Sequence, residues 1–169
     1  MLCSAPAGAQ TAPPAAVRDD VATGTVQFVP RTQSPADCLR SANGVCAYDV
    51  TGTESSTAYQ GPGHLTEHLT IDFTQPRRSA AGVCFPQLGT GTMHTADGDY
   101  RFFNQGETCA PPAPIGADGW RNGYHDSAIY AGTGVFANVA GTLSITVIVH
   151  APDVAVYHSA GALVPIPPH

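Results

Sequence analysis

The 169-residue chain is 43 % hydrophobic and 12 % charged, with 18 Gly and 15 Pro. That size suits one domain with a proper core, and the Gly and Pro punctuation is too frequent for long helices. Thirteen acidic residues against seven basic ones, all of them Arg, leave a net charge of −6, which excludes the basic face that nucleic-acid phosphates need and disfavours an anionic membrane surface. No run approaches the ~20 apolar residues of a membrane helix, so no membrane insertion is expected.

The start of the chain runs to Ala7-Gly8-Ala9, a small-residue pattern that a signal peptidase accepts, with Gln10 as the mature N-terminus. This predicts a secreted protein, extracellular or periplasmic. Residues 1–20 therefore read as a signal remnant and flexible arm, and residues 21–169 as a single domain. Residues 21–29 alternate and predict a strand that Pro30 stops. Ser34-Pro35 supplies an N-cap and first helical residue, so residues 31–41 predict a short helical turn.

Residues 45–53 predict a second strand ending at Gly52, and Gly61-Pro62-Gly63 a turn. The cleanest period-two pattern follows: His64, Thr66, His68, Thr70 and Asp72 on one face, and Leu65, Glu67, Leu69, Ile71 and Phe73 on the other. Residues 75–79 read as a loop, and residues 82–88 as a strand in which Pro86 suggests an edge or bulge. Asp97-Gly98 between residues 91–94 and 100–103 predicts a β-hairpin. Residues 109–120, CAPPAPIGADGW, predict a rigid irregular connection or a lid. Strands are expected at 127–131, 143–150, 154–157 and 162–166. Between them, three glycines from Gly132 to Gly141 permit sharp turns, under which Phe136 can act as a plug.

Four cysteines remain after Cys3, and four allow three connectivities. Cys38 and Cys46 flank the Asn43-Gly44 turn, and Cys84 and Cys109 bracket the central hairpin. The expected disulfides are Cys38–Cys46 and Cys84–Cys109. Four thiolates on zinc are disfavoured because no C-x2-C pair exists.

Gly132-Thr133-Gly134-Val135-Phe136, followed by Ala140-Gly141 and a long strand, resembles the GxGxFxxxxG segment of the allene oxide cyclase and dirigent barrel superfamily. Gly89-Thr90-Gly91-Thr92 with Ala96-Asp97-Gly98-Asp99 resembles the hairpin of bacterial secreted members. The resemblance spans roughly residues 80–150. It implies an all-β fold, an antiparallel eight-stranded barrel with a lumen, and a possible homo-oligomer, dimer or trimer. The plant relatives bind oily or phenolic molecules in that lumen.

His64-Leu65-Thr66-Glu67-His68 matches the H-x-x-E-H pattern of inverted zinc peptidases, but on a strand its two His lie ~13 Å apart, too far for one metal. On the strand reading Glu67 is an inward carboxylate whose pKa rises with desolvation, the candidate catalytic acid or base. Leu65, Leu69, Ile71, Phe73, Tyr100 and Phe102 are the candidate ligand-binding wall, and Arg101 a candidate partner for Glu67. Asp97, Asp99 and Asp118 read as turn chemistry rather than calcium ligands, and Gly-x-Gly at Gly89 and Gly132 lacks the third glycine of a nucleotide loop. No metal and no cofactor are expected. Three functions stay open: binding of an apolar or phenolic small molecule in the lumen, a cyclase or isomerase acting on such a ligand, and a structural barrel filled by its own side chains.

Overall fold

The computed structural model describes residues 17–30, 43–80, 82–110, 121–150 and 154–167. The fold is all-β, and among the described residues the one helical element is a 3-10 turn at Gly134–Phe136. The strands are β1 (Arg18–Pro30), β2 (Val45–Ser56), β3 (Gly63–Asp72), β4 (Arg77–Ser79), β5 (Gly82–Thr95), β6 (Gly98–Ala110), β7 (Arg121–Tyr130), β8 (Val139–His150) and β9 (Val154–Pro165). All pairings are antiparallel, and the sheet runs β3-β2-β1-β9-β8-β7-β6-β5-β4. A further pairing of β3 with β5, from His64 opposite His94 to Ile71 opposite Gln87, closes eight strands into a barrel. The three-residue β4 lies outside that ring as an appendage of β5.

Each strand turns alternate side chains inward, as a pleated strand with one wet face must. In β3 the odd positions Leu65, Leu69 and Ile71 are buried while His64, Thr66 and His68 are exposed. In β1 the even positions Ala22 and Val26 are buried and Val21 is exposed. The interior therefore collects one residue in two from all eight strands, and the exterior mixes Thr, Ser, His and Asp with exposed apolar residues such as Val21, Val45, Leu88 and Val156.

Several boundaries differ from those the sequence predicts. The strand begins at Arg18 rather than after residue 20, because Asp20 is buried in the barrel end, where Ser56 Oγ donates to its Oδ1 at 2.5 Å. Gly52 does not end β2: it sits where β1 approaches so closely that a Cβ would meet Val26, and the strand runs on to Ser56. Residues 77–79 form β4 rather than loop, pairing with residues 82–84 of β5. β5 is one continuous strand of 14 residues. Pro86 is tolerated within it because β4 pairs with residues 82–84 and β3 with 87–94, so the missing N–H falls in the gap between two partners. β9 likewise continues through 158–161, since Gly161 serves close approach to β8 rather than a turn. The predicted helical turn at 31–41, the connection at 111–120 and Asp118 lie outside the described residues.

One end of the barrel is sealed from within. The Ala96-Asp97 hairpin tip docks on the segment after β7: Thr133 N donates to Asp99 O at 2.8 Å, and Val135 N to Asp97 O at 2.9 Å. Gly134 lies at φ 56°, where a side chain is strained, and packs directly on Asp97. This turn drives Phe136 into the barrel end, where it is 0 % exposed, 4.8 Å from the Tyr100 ring centroid and 6.2 Å from that of Tyr59. Phe136→Ala should cost about 3–5 kcal/mol of stability, as large-to-small changes of a buried Phe do. Thermal unfolding should then show a midpoint lower by roughly 10 °C for a chain of this size.

Candidate functional site

Besides Asp20 at the barrel end, interior polar side chains stand out at three places among the described residues. The first is at Glu67, on the inward face of β3. Glu67 keeps some accessible area but is enclosed by protein on almost every side. Its carboxylate lies over Gly89 of β5, where any Cβ would fall on Oε1, and so reaches Asn104 of β6. Asn104 Nδ2 donates to Glu67 Oε1 at 2.9 Å. Burial pushes the Glu67 carboxyl up to about 7, against the opposing pull of the Asn104 hydrogen bond. A carboxyl poised there exchanges its proton near neutral pH, which is what acid–base chemistry requires.

The second place is next to the plug. Glu54, inward on β2, receives Tyr59 Oη–H at 2.7 Å on Oε1 and Tyr157 Oη–H at 2.5 Å on Oε2. Burial raises the Glu54 carboxyl above the usual carboxylate range, and the two phenols pull it back. The same burial raises the phenols of Tyr59, Tyr100 and Tyr157 beyond their ordinary range, so they stay protonated donors.

The third place is near the opposite end. Thr108 Oγ1 donates to Gln87 Oε1 at 2.8 Å, and Gln87 Nε2 donates to His125 Nδ1 at 2.9 Å. Burial holds His125 down to about 4, with Asp126 opposing, so the ring is neutral at pH 7.

Between these groups lies a cavity of about 70 Å3, walled by Leu65, Leu69, Met93, Tyr100, Phe102 and Leu143 among others, with Glu54, Glu67, Asn104, His125 and Ser159 also on its surface. Two polar atoms on that surface have no hydrogen-bond partner. Asn104, 8 % exposed, presents an unpaired Oδ1, and Ser159, 4 % exposed, an unpaired Oγ. Buried polar atoms are paired in the great majority of proteins, by a solvent molecule or a ligand where protein does not serve.

The structure places the sequence-derived candidates unevenly. Glu67, Leu65, Leu69, Tyr100 and Phe102 all reach the cavity wall. Ile71 is buried in the core beyond it, and Phe73 follows the end of β3, where its ring centroid lies 4.9 Å from that of Phe85. Arg101 does not answer Glu67: it falls on the outer face of β6, exposed, and Asn104 takes that place. His64 and His68 are exposed on the outer face while Glu67 points inward, so the H-x-x-E-H residues do not converge.

Cys84 and Cys109, opposite one another on β5 and β6 with Cα atoms 3.9 Å apart, form a disulfide. Glu107 lies close to both sulfurs, yet bonded sulfurs are not thiolates for a metal. Cys46 is also disulfide-bonded, and its expected partner Cys38 lies outside the described residues. Asp97 Oδ2 accepts from Gln60 N at 2.8 Å, and Asp99 pairs with His94 at 3.2 Å, as structural turn residues.

Sequence reading missed Glu54, Asn104, His125 and Ser159. The signal was present for three of them. Extending the Cys46, Tyr48, Val50 alternation past Gly52 reaches Glu54; extending Tyr100, Phe102 reaches Asn104; stepping back from Ile129 by twos reaches His125.

Because the native Glu67 carboxyl titrates above its ordinary 4.5, the folded state holds a proton that the unfolded chain has released, and stability falls as pH rises from about 4.5 to about 7. His125, lowered from 6.5 to about 4, acts oppositely: its contribution is lost as pH falls through that interval. Glu67→Gln removes only the first. The melting temperature of the variant relative to the parent should therefore rise between pH 4.5 and pH 7.5 by several degrees, corresponding to ~3 kcal/mol. A constant difference across that range would show that Glu67 titrates normally.

Compared with known proteins, the chain matches no protein-family model, no curated protein and no solved structure.

Proposed function

We propose that this protein is a small-molecule-binding barrel whose lumen takes a compact apolar molecule carrying a hydrogen-bond donor. The observation that carries the reading is the pair of unpaired buried atoms, Asn104 Oδ1 and Ser159 Oγ, on residues of a cavity wall whose other polar groups Glu54, Gln87, Thr108 and His125 are hydrogen-bonded to protein partners. An empty apolar cavity needs no occupant, but an orphaned carbonyl oxygen in one costs about 1–3 kcal/mol until a donor reaches it. Glu67 beside Asn104 adds a group that donates when protonated and accepts when ionised. The resemblance of residues 132–141 to the allene oxide cyclase and dirigent barrels supports the same reading, since lumen binding is what that resemblance implies. The Cys84–Cys109 disulfide suits an oxidising compartment and hence a secreted protein.

Size narrows the ligand. A cavity of about 70 Å3 is under half the ~150 Å3 that accommodates benzene, so a bulky phenol fits only if the wall repacks. A molecule of about four heavy atoms fits the space. At the ligand-efficiency ceiling of about −1.5 kcal/mol per atom it binds no tighter than roughly 40 μM. The same small volume favours, as the second reading, a barrel filled by its own side chains.

Methyl NMR separates the two. Titration with 1-propanol should give saturable shifts at Leu65, Leu69 and Met93, with a millimolar or tighter Kd, and Ile145→Phe, which fills the lumen, should abolish them. Absence of saturable shifts at those methyls in the parent protein would leave the filled barrel.

A further inference from the structure

Taking the lumen as a binding site, the charges on its wall bear on the charge of its occupant. Each strand can be accounted for. The titratable groups on the cavity surface are Glu54 from β2, Glu67 from β3, Tyr100 from β6, His125 from β7 and Tyr157 from β9, while β1, β5 and β8 contribute none. None of these is cationic at neutral pH, since His125 is held neutral by burial. The four arginines whose side chains are described, Arg18, Arg77, Arg78 and Arg101, lie elsewhere. Arg77, Arg78 and Arg101 are exposed on the outside, and Arg18 sits at the sealed end, donating to Val135 O at 2.8 Å with its guanidinium 6.0 Å from the Phe136 ring centroid.

Among the described side chains, the cavity surface thus carries two carboxyl groups and no positive charge. Glu54 is satisfied within the fold by two phenolic donors, one on each oxygen. Glu67 is not: its carboxylate receives a single side-chain donor, Asn104 Nδ2, on Oε1. The neighbouring Asn104 Oδ1, buried and unpaired, is a second acceptor beside the first. Two acceptors, one of them ionisable, whose one neighbouring side-chain donor, Asn104 Nδ2, is already committed to Glu67 Oε1, form a site for an N–H-rich cation. Tyr100 and Phe102 supply aromatic rings on the same wall, which favour a cation over an anion.

We propose that the lumen binds a small organic cation, a primary ammonium group on a compact apolar body, with its charge on Glu67 and one N–H donated to Asn104 Oδ1. A carboxylate ligand would meet two carboxyl groups and no donor with a charge. A neutral alcohol can satisfy Asn104 but gains nothing from Glu67 ionisation. Because a buried carboxyl without a counter-ion stays protonated and one with a counter-ion ionises, cation binding is coupled to release of the Glu67 proton. Affinity for the cation should therefore rise with pH, and affinity for the neutral molecule should not.

The experiment compares n-propylammonium, 1-propanol and propionate, three probes of nearly equal size, by methyl NMR titration of the intact protein at pH 5.5, 6.5, 7.2 and 8. The proposal expects n-propylammonium to bind best at pH 8 and propionate worst. It expects the ammonium Kd to tighten by on the order of tenfold from pH 5.5 to pH 8, as a carboxyl near 7 loses its proton. Glu67→Gln should abolish both the preference and the pH dependence. Should that variant fail to fold, the parent pH profile and the three-probe ranking decide by themselves. Equal or tighter binding of 1-propanol, or a flat ammonium profile, would overturn the cation assignment and leave the neutral-ligand reading intact. Failure of all three probes to shift the lumen methyls would overturn both.

Discussion

The pairing of β3 with β5 is the constraint on which the interior depends. Without it the sheet would be an open ribbon with two free edges, and Glu67 would lie near one of them, in water. With it, eight strands enclose a volume into which the odd positions of β3, such as Leu65, Glu67 and Leu69, and the even positions of β6, such as Tyr100, Phe102 and Asn104, both point. The pairing requires small residues at the seam. Gly89 leaves room for the Glu67 carboxylate and Gly91 for the ring of Phe102, so the two glycines of the GTGT run serve close approach within a strand rather than a turn. Closure and the burial of a carboxyl are thus the same structural event.

Desolvation then sorts the interior groups by what they can pair with. Glu54 obtains two phenols and His125 an amide, whereas Glu67 obtains one amide and keeps an oxygen for something else. Buried groups that are fully served rigidify a fold, and those partly served are where a ligand or water adds most. The distribution is uneven along the barrel. The sealed end has Phe136 packed between tyrosines over the paired Glu54, and the under-satisfied Asn104 and Ser159 face the cavity. The stability cost therefore sits where binding is proposed.

Two buried titrations of opposite sign also shape the pH response. Glu67 favours the folded state in acid, and His125 favours it above its lowered pKa. Asp20 and Glu54, both raised by burial, act in the same sense as Glu67. The upward shift of these buried carboxyls favours the fold in mildly acidic surroundings, and the lowered His125 opposes it as pH falls from 6.5 to about 4.

What the sequence determined by itself is what one strand can encode. Period two in residues 64–73 put Glu67 among Leu65 and Leu69, Asp97-Gly98 fixed the hairpin, its symmetry about that turn set Cys84 opposite Cys109, and the glycines around Phe136 allowed it to turn inward. Each of these follows from steric or hydrogen-bond preferences that act over a few residues. Which residue meets Glu67 does not: Arg101 and Asn104 are three apart on one strand, and only the β5–β6 register and the pleat decide that Arg101 faces solvent and Asn104 the lumen. The continuation of β2 past Gly52, the unbroken β5 with its proline, and the 70 Å3 left in the lumen are of the same kind. They depend on how closely neighbouring strands approach around a closed ring, a sum over the whole circumference that no local pattern contains.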